Sequence, residues 1–162
     1  MSDHQDEGFA PVRIENGTSF TIAGMGERFT LQSKSGIPAL WDKFVPYIGK
    51  VSAQMGAQTY GVCCNPDGKG SFEYIAGVRV STTQGLPEHF RAIVIEPQRY
   101  AVFEHRGHIS SIGETFEAIG KDWLPNSGEQ AADAPEFERY SADFNPDTGS
   151  GTVEIWLPLK PE

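Results

Sequence analysis

The sequence predicts an α+β domain in which two tandem strand-helix-strand-strand modules share one antiparallel sheet, with both helices on one side and a ligand cleft between the modules. Three observations carry this. Asn-Pro-Asp turns at 65 to 67 and 145 to 147 each lie between β-rich flanks, which marks two hairpins. A strand and an amphipathic helical stretch precede each hairpin. The hairpins also align: "TYGVCCNPDGKGSFEYIAGV" and "RYSADFNPDTGSGTVEIWLPL" share Tyr60/Tyr140, the Asn-Pro-Asp turns, and Glu73/Glu154 after a one-residue insertion, about 75 to 81 residues apart. Neither module buries a helix and half a sheet well alone. The chain is therefore read as one domain, 1–162, with modules of about 15–81 and 90–160 and a flexible tail at 1–12.

Taken in order, "TSFTIAGMGERFTLQ" (18–32) reads as a strand broken by Gly24 and Gly26, with a bulge at "GMG". That triplet lacks the third glycine and the helix of a dinucleotide fingerprint. In "GIPALWDKFVPYIGKVSAQ", Ile37, Leu40, Trp41, Phe44, Val45 and Ile48 recur at helical spacing; Pro38 suits a first turn and Pro46 implies a kink or a break. Trp41 and Phe44 read as core. "QTYGVCC" and "SFEYIAGVRV" form the first hairpin, and "STTQGLPEH" (81–89) links the halves. "FRAIVIEPQRYAVFEHRG" gives an extended strand pair or one long strand bulged at Pro97. "HISSIGETFEAIGKDWLP" gives a short helix with Ile112, Phe116 and Ile119 inward, "NSGEQAADAPE" is a loop, and "FERYSADF" with "TVEIWLPL" makes the second hairpin.

Composition narrows the function. A net charge of -9 disfavours direct binding to a nucleic-acid backbone and favours a cationic ligand. No apolar run is long enough to span a membrane, and the start "MSDHQDEGFA" is unlike a secretory or transit signal, so the chain reads as cytoplasmic. Cys63 and Cys64, adjacent on a strand, point to opposite faces and do not read as a disulfide. With two Cys and four His, no zinc spacing can be assembled, and neither metal nor cofactor is expected.

The closing strand raises a question of chemistry. Alternation puts Val153, Ile155, Leu157 and Leu159 on one face, and Glu154, Trp156 and Pro158 on the other. A carboxylate removed from water must be hydrogen-bonded, take up a proton, or meet a cation, and an adjacent aromatic face favours the last.

The doubled module, together with "PQRYAVFEHRG", "WLPNSG", "PEFERY" and "GTVEIWLPL", resembles the GyrI-like family, the ligand-binding domain found alone or at the C-terminus of AraC- and MerR-type regulators. The resemblance covers roughly residues 15 to 159. It implies a pseudo-twofold pair of modules and an aromatic cleft with an acidic residue on the last strand, a position that Glu154 matches. Trp156, Trp123, Phe103, His105, Tyr74, Glu73 and Tyr47 are the candidate walls, Tyr74 on the strength of the resemblance alone. The regulators carry a DNA-binding domain for which this chain has no room.

Three function classes follow. As a binding module, the protein senses or sequesters a lipophilic cationic or aromatic molecule, with Glu154 as counter-ion. As an enzyme, which the sequence leaves undecided, it is a hydrolase of strained, cyclopropane-type natural products, with Glu154 as general acid or base; the resemblance supplies this chemistry, and no nucleophile and base stand at a diagnostic spacing. As an interaction module, it engages a topoisomerase or a separate regulator. The sequence is compatible with a monomer or a dimer.

Overall fold

The computed structural model describes residues 10–105, 107–145 and 147–162; most of the expected tail, together with Arg106 and Pro146, lies outside the described residues. Eight strands, β1 (Arg13–Gly17), β2 (Phe20–Thr30), β3 (Thr59–Cys64), β4 (Ser71–Val80), β5 (Arg91–Ile95), β6 (Gln98–His105), β7 (Glu136–Tyr140) and β8 (Val153–Leu159), form one sheet. The order is β1-β6-β8-β7-β3-β4-β2-β5, and every pairing is antiparallel. The sequence repeat becomes a pseudo-twofold arrangement about the β3/β7 pair, with β4 and β2 on one side of it and β8 and β6 on the other. Outside these, the halves exchange strands: β1, which leads into the first module, pairs with β6 of the second, while β5 pairs with β2 of the first.

Two sequence expectations change here. The strand over 20–30 is neither broken nor bulged, because its register with β4 runs without interruption from Thr21↔Val80 to Thr30↔Ser71. Its glycines serve close approach instead: a Cβ at Gly24 would collide with the Ala76 carbonyl oxygen and lie 2.5 Å from Gly77 Cα, so the two backbones touch where side chains would hold them apart. Residues 91–105 form two strands that separate at Pro97 and pair at distant places in the sheet, not with each other.

Helix α1 (Ile37–Phe44) starts with Pro38 in its first turn and gives way at Pro46 to a single 3-10 turn, Val45–Tyr47. It presses Leu40 and Phe44 onto Tyr74, Ala76, Val78 and Val80 of β4. Helix α2 (Ile112–Ala118) continues through a π-helical turn, Ile119–Trp123, into the short α3 (Leu124–Ser127), which Gly128 ends at φ 79°. Phe116 and Ile119 cover Ala101, Phe103, Ile155 and Leu159. Burying a large apolar side chain in this way contributes about 1.5–3 kcal/mol.

Both helices lie on one face, as the sequence predicts. The opposite face carries no helix among the described residues, yet it is buried as well: Ile22, Tyr60, Val62, Ile75, Ile95, Tyr100, Val102, Phe137 and Trp156, drawn from β2 through β8, form a single cluster. A sheet achieves this only by curling on itself. Cys64 joins this cluster and Cys63 packs on the helical face, so the two free thiols are on opposite sides of β3.

Candidate functional site

The pseudo-twofold axis brings β3 and β7 together at the middle of the sheet, with Gly61 opposite Glu138. Alternation along β7 sends Phe137 and Arg139 to the curled face and Glu136, Glu138 and Tyr140 to the helical face. Gly61 is required here. A Cβ would collide with the Tyr74 hydroxyl and lie 2.8 Å from Glu138 Oε1. The space that glycine leaves is filled by a polar network. Tyr74 Oη donates to Glu138 Oε1 at 2.9 Å, Tyr140 Oη donates to the same oxygen at 2.7 Å, and Trp41 Nε1 on α1 donates to Tyr74 Oη at 3.0 Å. The rings of Trp41 and Tyr140 meet edge to face at 5.2 Å.

Glu138 is 8% exposed. Burial, opposed by the two tyrosine hydroxyls and reinforced by the nearby Glu136 charge, pushes its carboxyl up to about 7. Burial raises Glu136 as well, and burial with the two carboxylates raises the Cys63 thiol well above its ordinary value. Both hydroxyls bond to Oε1, and Oε2 takes no hydrogen bond from the described residues. Farther along β3 and β7, around Cys63 and Glu136, is a cavity of about 600 Å³, walled also by Cys64, Phe72, Leu157 and Pro158 and by the segment from Ala131 to Glu136; Glu138, Tyr74 and Tyr140 are not among its described walls. Its carboxylates are Asp133 and Glu136, and no Lys or Arg is among its described walls.

The candidate residues from the sequence separate into four places. Glu154, Trp156 and Glu73 lie on the curled face. Glu154 shares a strand face with Trp156, and its carboxylate is fully engaged: Arg13 donates at 3.0 and 3.3 Å, Arg139 at 2.8 Å and Trp156 Nε1 at 3.0 Å. Burial alone would raise it, but the Arg13 hydrogen bonds, the Arg139 charge and the indole N–H hold it below the usual carboxylate range. Glu73 repeats the theme: Arg91 donates to it at 2.6 and 3.0 Å and Asn65 at 2.8 Å, and these outweigh burial to lower it. In both modules the exchanged strand supplies the arginine, Arg13 from β1 and Arg91 from β5.

Phe103, Trp123 and His105 belong to the second helical cluster. Phe103 and Trp123 meet edge to face at 5.0 Å. His105 is buried, with Nδ1 2.7 Å from Thr115 Oγ1 and Nε2 2.9 Å from the His108 carbonyl oxygen. Tyr47 packs among Phe44, His89 and Phe90 at the far side of α1. Of the eight candidates, Tyr74 alone enters the central network. Sequence reasoning did not single out Glu138, Glu136 or Cys63; Trp41, expected as core, packs against the helical-face cluster and also donates to Tyr74. The available signal was Glu136, Glu138 and Tyr140 spaced two apart on a strand adjoining the repeat's own Tyr. Among the described residues, no group of three or more His, Cys, Asp or Glu could hold a metal ion, and no helix is long and apolar enough to cross a membrane.

A doubled strand-helix-strand-strand sheet, its halves joined at the β3/β7 pair, defines a paired-module α+β domain. Residues 10–160 match the GyrI-like small molecule binding domain, and the chain belongs to that family. It is 30% identical over 150 residues to the transcriptional regulator BrlR of Pseudomonas aeruginosa, a match that takes in 91% of this chain and 55% of that protein. The chain thus spans about half the length of this curated relative. Among solved structures it is similar to SAV2435 bound to tetraphenylphosphonium, with TM-score 0.75 and 20% identity, covering 91% of this chain and 93% of that one. It is also similar to an integron cassette protein of Vibrio cholerae, with TM-score 0.69 and 22% identity, covering 94% and 97%. At such identities these two structures show the shared fold.

Proposed function

We propose that the protein binds lipophilic cations in the cavity on the helical face, with Glu138 as the charge partner. The observation that carries this is an acidic cavity, with no Lys or Arg among its described walls, that reaches Glu136, two residues along β7 from Glu138, whose Oε2 takes no hydrogen bond from the described residues. Phe72 and Leu157 offer apolar walls, and Asp133 and Glu136 add negative charge. A carboxylate with its pKa near 7 suits such a role, since ionisation in a dry site is unfavourable until a cation shares it. That SAV2435 is a relative in fold, solved with tetraphenylphosphonium, supports this ligand class. The match to BrlR supports a sensing role in transcription regulation, through a DNA-binding segment or a separate regulator. Glu154, the counter-ion expected from the sequence, has two guanidiniums already and is a weaker partner for an external cation.

Tetraphenylphosphonium titrated into the protein tests this. Binding is expected to strengthen as pH rises through about 7, because the cation selects ionised Glu138. Glu138→Gln, which keeps shape and hydrogen bonding, should weaken it about tenfold or more and remove that pH dependence, while Glu154→Gln should have little effect. Equal affinity in wild type and Glu138→Gln would overturn the role.

A second reading has its own observation. A carboxyl poised near 7 between two tyrosine hydroxyls is a general acid-base arrangement, so the network also suits hydrolysis of a strained electrophile, with Glu138 directing water and Tyr74 or Tyr140 supplying a proton. Product formation from a cyclopropane-bearing alkylator that Glu138→Gln abolishes would favour it; turnover no faster than in buffer would exclude that substrate class.

A further inference from the structure

The alternation that places Glu138 on the helical face turns its neighbours Phe137 and Arg139 to the curled face. There a pocket of about 100 Å³ is lined by Phe20, Tyr60, Tyr100, Phe137, Arg79 and Arg139, with Glu15 and Trp156 at its sides. Its character is opposite to that of the helical-face cavity. Three guanidiniums, Arg13, Arg79 and Arg139, face two carboxylates, Glu15 and Glu154. Arg13 pairs with both carboxylates and Arg139 pairs with Glu154. Arg79 makes no side-chain hydrogen bond or ion pair with any described residue; its guanidinium lies over the Phe20 ring at 5.3 Å. One positive charge therefore remains uncompensated, held half-buried on an aromatic face, in a protein whose net charge is -9.

A second, independent observation is Tyr100. It is 1% exposed and lines this pocket, and its hydroxyl has no hydrogen-bond partner among the described residues. Among the described residues no fully buried side-chain oxygen lacks a partner, so the Tyr100 hydroxyl opens into the pocket, where its O–H is available to a ligand acceptor. Burial raises Tyr100 to about 12, which keeps its proton available for donation at neutral pH. Tyr60 presents a further hydroxyl near Arg79 and Arg139, whose charges oppose the upward push of burial on it. A guanidinium and phenol hydroxyls converging from aromatic walls recognise a planar anion carrying a ring. At about 100 Å³ the pocket is smaller than the closed cavity of about 150 Å³ that admits benzene, so it takes a single ring only with part of the ligand in its open mouth.

We propose that the curled face carries a second ligand site, a pocket that takes a small aromatic carboxylate, with the acid group on Arg79 and the Tyr60 and Tyr100 hydroxyls and the ring against Phe20 and Phe137. The site stands back to back with the Glu138 cavity across β7 and is chemically its complement: one takes cations and the other anions.

Benzoate, benzylamine and benzyl alcohol titrated into the protein by calorimetry and by amide chemical-shift mapping test it. Benzoate should bind, shift amides of β2, β3, β6 and β7 around the pocket, and bind at least tenfold more tightly than either isostere. Arg79→Ala should weaken benzoate tenfold or more and Tyr100→Phe several-fold, while Glu138→Gln leaves it unchanged. Tetraphenylphosphonium at saturation should not displace it. If Arg79→Ala fails to fold, Arg79→Lys, which keeps the charge and loses the fork, should still weaken benzoate. No detectable benzoate binding, equal binding of benzylamine, displacement by tetraphenylphosphonium, or unchanged affinity in the Arg79 variants would each overturn the proposal.

Discussion

Glu138 and Glu154 show how two glutamates on neighbouring strands of one sheet are given opposite properties. Glu154 meets guanidiniums and stays ionised; Glu138 is buried with only two hydroxyls to oppose the loss of water, and burial pushes its carboxyl from 4.5 to about 7. The consequences for stability have opposite signs. Between about pH 4.5 and 7 the folded protein keeps a proton on Glu138 that the unfolded chain has released, so stability falls as pH rises through this window and levels off above it. A shift of this size corresponds to about 3 kcal/mol. The lowered Glu154 works the other way: its contribution is present above the unfolded pKa and is lost as pH falls through the folded one. Urea denaturation of wild type and Glu138→Gln at pH 5 and pH 8 checks this. The loss of stability between the two pH values should shrink in the variant by about 3 kcal/mol; identical losses would mean that Glu138 does not hold a proton in the folded state. Alternation placed Glu154 beside Trp156 correctly, and the option that it is hydrogen-bonded is the one the structure realises. What alternation does not contain is which face of the sheet the helices cover. Without that, the "PEFERY" carboxylates looked no different from any solvated pair.

At the level of elements, the strands and helices were largely legible because each has a local cause: Asn-Pro-Asp turns define the hairpins, Pro46 ends α1, and helical spacing of Ile112, Phe116 and Ile119 sets the buried side of α2 and the turn after it. The misreading was at "GMG". Glycines in a strand signal either a bulge or close backbone approach, and only the uninterrupted β2/β4 register decides for approach. The prediction belongs to this pairing. Gly24→Ala should destabilise the protein by about 3 kcal/mol, since the added methyl meets backbone atoms of Ala76 and Gly77 and no side chain can yield to it. Gly120→Ala, where a Cβ meets nothing within 4 Å, should be neutral or stabilising and serves as the control. Denaturation midpoints that fall equally in both variants would argue that β2 carries no special contact at Gly24.

For the whole molecule, the sequence repeat gives two modules that cannot each bury a helix and half a sheet alone, and the topology shows how they depend on one another. β1 completes the second half by pairing with β6, with Arg13 reaching Glu154; β5 completes the first by pairing with β2, with Arg91 reaching Glu73. The β3/β7 ladder then joins the halves at the axis, where Tyr74 from one meets Glu138 from the other. The exchange was not visible in the sequence because "PVRIENG" is short and its partner is about 90 residues away, so nothing local marks it as part of the second module. The energetic consequence is a single cooperative unit. A fragment of residues 10–89 lacks β5 and the β7 side of the axis, and a fragment of 90–162 lacks β1 and β3, leaving the Glu154 carboxylate without Arg13 and the edges of both β6 and β7 unpaired. Each fragment alone should therefore show no cooperative thermal transition and little amide protection. An equimolar mixture should recover the circular dichroism and hydrogen-exchange protection of the intact chain, with protection strongest in β3 and β7 at the new interface. Cooperative unfolding of either fragment on its own would show that the exchanged strands are decoration on modules that are already complete. Recovery in the mixture would show that the axis, and with it the Glu138 network, exists only when both halves have given up a strand.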